Sequence, residues 1–355
     1  MAPRVSIGLP VYNGAKYLQG SLQSLLNQDF EDFELVISDN ASTDETEEIC
    51  RSYAANDRRI RYQRNRMNIG SARNYRQVFE SARGEFFKWC SHDDVCHPAF
   101  LRRCLDVFDA EPPSVVLVYP LCDLIDEVGQ VVGRAQGSVE TRQARPYRRL
   151  AHVLLNFSYA YPIWGVIRSA CLRRSGLTGS VWYWDEVLLA ELALYGEFVE
   201  VPEVLSEQRC HEENALTRCS AAQGAEVAHD PSKANRTTRR ELRAWTDPLS
   251  GSARMWLPNQ EEHYWEYAKR IQRSQLPVGE KLLCYQVIPI VCYWSRLKKL
   301  GGAWKRKLRG SGGGPFPGSA SPMKYDGGEP SDESRSPAAE SGGPLTGRQV
   351  GRVTR

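Results

Sequence analysis

The first 120 residues alternate short apolar runs with segments whose apolar residues recur at helical spacing, and this alternation constrains the fold more than any other feature. Val5 to Leu9, "FELVISD" (33–39), "RIRYQR" (59–64), "EFFKWC" (85–90) and "SVVLVYP" (114–120) read as buried strands. Between them, Tyr17, Leu18, Leu22, Leu25 and Leu26 mark one helical face, and Ala72, Tyr75, Phe79 and Ala82 another that Gly84 ends. Ser42 with Glu45 three residues on reads as a capping box opening a helix through Ile49 and Tyr53. Pro98 opens a helix carrying Phe100, Leu101, Leu105 and Phe108. Such alternation predicts an α/β fold, a Rossmann-like, mostly parallel sheet flanked by helices on both faces. Ligands of these sheets sit beyond the carboxyl ends of the strands. The polar endings "PVYN", "SDNAST" and "SHDD" all fall there.

Beyond residue 120 the pattern is mixed. "DLIDEVGQVV" predicts a hairpin around Gly129, a basic stretch from Arg142 to Arg149 leads into a helix, and "WGVIRSA" is a strand running into a helix. "WDEVLLAELALYGEFVEVPEVL" is a helix ended by Gly196 and then a strand. Residues 216–255 read as a linker or loosely packed segment, and 256–309 as a helical appendage rich in aromatics. From 310 to 355 Gly, Ser and Pro dominate without a hydrophobic period, the pattern of a disordered tail.

Composition narrows the classes. A net charge of +3 over 355 residues gives no reason to expect a nucleic-acid partner. The ten cysteines are scattered, and "MAPRVSIGLPVYNG" enters a strand pattern without a signal-peptide pattern, so a reducing, cytoplasmic setting is expected. The longest apolar stretch, "LLCYQVIPIVCYW" (282–294), falls short of the ~20 residues of a membrane span and carries Pro289. With "RLKKL" and "WKRKLRG" behind it, residues 282–309 suggest peripheral contact with anionic lipid. A helical cap with a solvated basic end is the alternative.

The stretch "FFKWCSHDDVCHP" (86–98) offers two chemistries. Cys90, His92, Cys96 and His97 suggest zinc, but the cysteines lack close-pair spacing and no second CxxC follows. Buried thiols beside an apolar strand are the better reading. Asp93 and Asp94 instead suit Mg²⁺ or Mn²⁺, where a protein supplies one or two carboxylates and phosphate oxygens complete the shell. A helix cap before Pro98 is the plainer alternative. At the other strand ends, Tyr12 can stack on a base and Asp39 can accept from a ring N–H. Arg64 and Arg73, either side of "NIG", can face phosphates or be surface charges.

Together "VSIGLPVYNGAKYLQGSLQSLLNQ", "FELVISDNASTDET", "NIGSARNYRQVFESARGEFFKWCSHDD", "HPAFLRRCLDVF" and "DEVLLAELALYGEFVEVPEVLSEQRCH" resemble a family 2 glycosyltransferase of the GT-A fold over roughly residues 4–215. The resemblance implies a GT-A domain over 1–215, with a nucleotide-sugar half to about 120 and an acceptor half from 121. It implies transfer, with inversion, of a sugar from a nucleoside diphosphate donor (a UDP- or dTDP-sugar by default) to a glycan, lipid-linked or small-molecule hydroxyl. Pro10, Tyr12, Asn13, Asp39 and Arg73 then match nucleotide-sugar positions, Asp93 the position meeting ribose and metal, and Asp94 the principal ligand of Mn²⁺ or Mg²⁺. His211 matches a position near the diphosphate; an ordinary loop histidine is the alternative. Ser91 stands where the family commonly has Asp, so metal binding rests on the two that follow.

By the same resemblance Asp185 stands where the catalytic base belongs, with Glu186 as the back-up. One base and no second carboxylate nucleophile is what single displacement with inversion needs. Trp164, Trp182, Tyr183 and Trp184 suit an acceptor surface, Trp164 and Trp184 foremost, although core packing accounts for some of them. Two rivals stand beside this reading. A nucleotidyltransferase would want a Gly-rich, Arg-containing loop after the first strand, and "LPVYNG" has one glycine and no basic residue before Lys16. A sugar- or nucleotide-binding module without chemistry is the other, and Ser91 is its hint.

Overall fold

A computed structural model describes residues 2–156, 161–179, 183–211 and 259–291. The expected linker (216–255) and tail (310–355) lie outside the described residues, as does Trp182. Strand β1 (Val5–Val11) leads to helix α1 (Ala15–Leu26), β2 (Phe33–Asp39) to α2 (Thr46–Asn56), and β3 (Ile60–Arg64) to α3 (Ser71–Glu80). Then come β4 (Phe86–Trp89), the short β5 (Val95–Cys96), α4 (Phe100–Ala110), and the hairpin β6 (Val115–Ile125) and β7 (Val131–Arg134). Helix α5 (Pro146–Asn156), β8 (Val166–Arg168), α6 (Ser169–Arg174), α7 (Trp184–Tyr195) and β9 (Glu197–Arg209) complete the sheet region. Helix α8 (Asn259–Arg273) follows, and residues 278–291 form a further helix, α9.

Among the described residues the strands form one sheet in the order β3-β2-β1-β4-β8-β6-β9-β5, with β7 beside β6. The half β3-β2-β1-β4 is wholly parallel, and so is the long β6–β9 ladder; the antiparallel pairings are short. This is the mostly parallel, helix-flanked sheet anticipated from the alternation. Strands β1, β2 and β4 are buried at every position, which is why they read as continuous apolar runs. Helix faces close over both sides: Leu18, Leu22 and Leu25 of α1 on one, Val78 and Phe79 of α3 on the other. Trp89, Tyr119, Phe86, Phe87, Phe100 and Phe198 are wholly enclosed, each side chain contributing roughly 1.5–3 kcal/mol by area.

The predicted hairpin forms, with Gly129 at φ +90° in its turn. The capping box does not. Helix α2 begins at Thr46, four residues past Ser42. Ser42 is used elsewhere: its hydroxyl accepts the Asn13 N–H at 3.0 Å, and its own N–H donates to Asp39 Oδ1 at 2.8 Å. Asp44 serves the helix start, accepting from Thr46 N–H. The loops after β1 and β2 hold each other, and both pass through left-handed backbone, Asn13 at φ +50° and Ala41 at φ +62°. Asparagine takes that conformation readily; alanine does not.

Helix α8 packs on α7, and α9 shares the same core cluster. Tyr267, Ile271, Cys284, Val287 and Ile288 join its core, and Arg270 Nη1 meets Glu191 Oε2 at 2.8 Å in a pair nearly sealed from water.

Candidate active site

The site is built where β1, β2 and β4 end and β9 returns alongside β6. Pro10 is buried within β1, paired in register with Ser38, and Tyr12 emerges just past the strand, 42% exposed. Asn13 Oδ1 accepts the Thr43 N–H at 2.8 Å and so ties the first loop to the second. Asp39 is fully enclosed. Its carboxylate accepts from Ser42 N–H and Tyr62 Oη and pairs with Arg64 Nε at 3.2 Å. Arg64 also meets Glu47 and donates to Ser42 O, so this cation braces the Asp39 loop and is not aimed at a phosphate. Asp39 is thus the acceptor of its own turn. Asn40 carries the stitching onward, its Oδ1 accepting from Ile69 N–H and Asn65 Nδ2. Arg73 stands exposed on the first turn of α3, after Gly70 at φ +88°.

Asp93 and Asp94 follow β4. Asp93 is buried, and His211 Nε2 lies 2.8 Å from its Oδ2 while Ser91 Oγ donates to its Oδ1. Burial alone pushes this carboxyl up, but His211, His92 and Ser91 outweigh it and hold it at about 2. Asp94 moves the other way, pushed well above the ordinary range by burial and by the charge of Asp93 beside it. Ser91 therefore takes a new role as a donor to the acid two residues on. His92 does not join the carboxylates' bonds; its ring packs on Gly14, where an added Cβ would stand 2.5 Å from Cδ2.

Arg209 is the residue that sequence reasoning passed over. Its backbone N–H donates to Asp94 Oδ1 at 3.0 Å and its Nε to the Asp93 carbonyl at 3.0 Å. Its Nη1 donates to the Asp126 and Glu127 carbonyls at the β6–β7 turn, and the guanidinium lies 4.8 Å from the Tyr17 ring. One side chain thus joins the acidic loop, the hairpin and α1. The signal lay in "RCH", where the histidine drew attention from its neighbour.

Asp185 and Glu186 occupy the first turn of α7. Asp185 is half-buried, and its Oδ1 accepts the Glu186 N–H at 2.9 Å. Burial, then the Glu186 charge, raise its carboxyl to about 6 against that N–H, which lowers it. Glu186 accepts from Tyr267 Oη of α8. Tyr75 packs its ring 5.1 Å from that of Trp184, the neighbour of Asp185, and its phenol is pushed up by burial and then by negative charge, Asp93 first and Asp185 last.

The aromatics divide. Trp184 is 7% exposed, its ring 5.1 Å from Tyr75 and 5.8 Å from Trp89, so it is a core ring and not an acceptor platform. Trp164 is only partly buried, 5.9 Å from Tyr75. Tyr183 is buried.

Among the described residues no group of three or more His, Cys, Asp or Glu forms a ready metal cage, and Cys90 and Cys96 are buried free thiols. Two hard carboxylates side by side still fit Mg²⁺ or Mn²⁺, which take few protein ligands and keep places for phosphate and water.

Residues 6–178 match the sequence model of Glycosyl transferase family 2. The likeness to that family is carried by this segment, just under half of the chain. The chain is 34% identical over 126 residues to an uncharacterized glycosyltransferase of Rickettsia typhi, covering 36% of this chain and 38% of that protein. It is 36% identical over 132 residues to a chondroitin synthase of Escherichia coli, covering 37% of this chain and 19% of that one. The matched stretch therefore spans well under half the length of these relatives. Among solved structures, a mannosyltransferase of Pyrobaculum calidifontis in complex with GDP-Man and Mn²⁺ aligns with a TM-score of 0.47 at 17% identity, covering 84% of this chain and 85% of that one.

Proposed function

We propose that this glycosyltransferase moves a sugar, with inversion, from a nucleoside diphosphate donor to an acceptor hydroxyl. The observation that carries the reading is the pair Asp93 and Asp94 past β4, clasped by His211 and Arg209, with Asp185 opening α7 next to Trp184, whose ring lies 5.1 Å from Tyr75. The loops after β1 and β2 form the nucleoside pocket, with Tyr12 as the stacking ring and Asp39 and Asn13 holding the loops in shape. Arg73, exposed on the first turn of α3, is the cation we assign to the phosphates. UDP- and dTDP-sugars are the donors to try first.

Asp94 and Asp93 would hold Mn²⁺ or Mg²⁺, with His211 at their side. Such an ion supplies charge neutralisation for the departing diphosphate. Asp185 takes the proton of the acceptor hydroxyl; that oxygen bonds to the anomeric carbon from the face opposite the diphosphate, whose C–O bond breaks with the electron pair leaving on phosphate. Holding two substrates in line supplies much of the remaining acceleration. The pKa near 6 suits Asp185 to this task, since it is unprotonated at neutral pH yet more basic than an ordinary aspartate. The described thiols are all free and mostly buried, which agrees with a reducing compartment such as the cytoplasm.

The test is a thermal-shift series with nucleoside diphosphates and their sugars, with and without Mn²⁺. A donor at a hundred times its dissociation constant adds about 2.7 kcal/mol to stability. One nucleotide should raise the melting temperature with Mn²⁺ present, and Asp94→Asn should remove the metal's contribution. If no nucleotide stabilises the chain with any divalent ion, the reading is wrong. Asp185→Asn separates enzyme from binding module: transfer should vanish while donor binding stays.

A further inference from the structure

We infer that α8 and α9 present a docking surface for an anionic lipid bilayer. The inner side of α9 is core: Cys284, Val287 and Ile288 are buried against α7 and its neighbours. Its outer side should be polar on a helix that ends at water, and it is not. Val278 is 75% exposed, Leu282 58% and Ile290 63%, with Pro289 exposed beside them and Gln286 the polar interruption. Tyr285 Oη donates to Ala268 O and Lys281 Nζ to Gln272 O, so the two helices run antiparallel. That register brings Trp265, itself 57% exposed, level with the Pro289 end of the stripe. Exposed apolar side chains scattered singly need no explanation; a stripe along one helix with a tryptophan at its end does.

Charge selects the occupant. Immediately after this helix the sequence runs "CYWSRLKKLGGAWKRKLRG", which holds Arg296, Lys298, Lys299, Lys305, Arg306, Lys307 and Arg309 and no acidic residue. A second copy of the chain would bring a second such run of seven cations with it. The chain's own residues 310–355 are mostly Gly, Ser, Pro and charged residues, and have few apolar groups to offer the stripe. A bilayer rich in anionic headgroups satisfies both halves, taking the apolar stripe at its acyl boundary and the cations at its surface. No described helix is long and apolar enough to cross a membrane, so the contact is peripheral. It is separate from the donor site, so vesicle binding and nucleotide binding can fail independently.

The experiment is co-sedimentation of the full chain with vesicles of phosphatidylcholine alone and of phosphatidylcholine with about one-third phosphatidylserine. Binding to the anionic vesicles should be at least about tenfold tighter and should weaken as salt rises from about 0.05 to 0.5 M. Leu282→Glu with Ile290→Glu should lower it about tenfold or more, and so should Lys298→Glu with Lys299→Glu. Leu282 and Ile290 are mostly exposed, so these variants should keep the wild-type melting temperature and its response to nucleotide. The proposal is overturned by absence of binding at low salt, or by equal binding of both variants. A dimer in solution that Leu282→Glu dissolves without vesicles would overturn it equally, assigning the stripe to a second copy.

Discussion

His211 Nε2 lies 2.8 Å from Asp93 Oδ2, and this contact fastens the end of β9 to the acidic loop after β4 across 118 residues of sequence. Both groups are buried, so the bond is worth more than a surface pair and its loss leaves a desolvated carboxylate. Asp93, held at about 2, contributes stability that is present above the ordinary aspartate range and is lost as pH falls through about 2. His211→Ala should therefore cost about 1–3 kcal/mol in urea unfolding at pH 7. The difference from wild type should narrow below about pH 3. A loss that stays constant with pH would mean that only packing was removed.

Arg209 is predicted to be more than a strut for the hairpin. Arg209→Met keeps the backbone N–H on Asp94 but abandons three carbonyls, those of Asp93, Asp126 and Glu127. Isothermal titration with the donor that stabilises wild type should show about tenfold weaker binding, equivalent to about 1.4 kcal/mol. Arg209→Lys should not restore it, because an ammonium cannot fork to carbonyls on both sides. Unchanged affinity in both variants would confine Arg209 to the hairpin.

The sheet was legible because β1, β2 and β4 are buried on both faces and so appear as unbroken apolar runs beside amphipathic helices. Asp39, Asp93, Asp94 and Asp185 stood out as candidates because Asp39 ends β2, Asp93 and Asp94 lie between β4 and β5, and Asp185 is in the first turn of α7. What could not be read was tertiary bonding. Ser42 satisfies the local capping pattern yet is taken by Asn13, a partner 29 residues away. Arg209 is one of many arginines until β9 lies beside β6, and Tyr75 is an ordinary helix-face residue until Trp164 and Trp184 lie against it. Trp184 erred the other way: its neighbours in sequence suggested a sugar platform, and its neighbours in space are Tyr75 and Trp89.

Gly14 is required for space, since its own φ of −104° suits any residue. A Cβ there would stand 2.5 Å from His92 Cδ2 and 2.7 Å from Val11 Cγ2. Gly14→Ala should cost about 1–3 kcal/mol by overpacking. Adding His92→Ala should recover part of that loss and not all of it, since Val11 remains. Thermal denaturation of the two single variants and the double variant measures the coupling, and strict additivity would show that His92 is not the obstacle.

Arg270 and Glu191 set how firmly α8 holds α7. Glu191 also accepts Gly176 N–H and Tyr195 Oη, so Arg270→Met leaves a buried carboxylate with neutral donors only. The expected cost is about 3–5 kcal/mol. Glu191→Gln in the same chain should return much of it, because the uncompensated charge is gone. Chemical denaturation decides: a loss below about 0.5 kcal/mol for Arg270→Met would place the pair among weakly contributing surface bridges.

Asp185, raised to about 6 by burial and then by the Glu186 charge, is predicted, as the proposed base, to set the acid side of the pH profile. The base works unprotonated, so kcat/KM should fall about tenfold per pH unit below about pH 6 and be flat just above it. Because its folded pKa lies above the unfolded value, protonation favours the fold. That stability is full below about pH 4 and is lost as pH rises through about 6. Asp185→Asn should therefore cut kcat by a factor of about 10² to 10⁴ while making the protein slightly more stable at pH 7. Glu186→Gln removes the neighbouring charge and should shift the acid limb to lower pH with activity retained. Glu186 accepts from Tyr267 Oη, so Tyr267→Phe should alter the limb less than Glu186→Gln does. Full transfer by Asp185→Asn, or an acid limb that ignores Glu186→Gln, would remove Asp185 from the role of base.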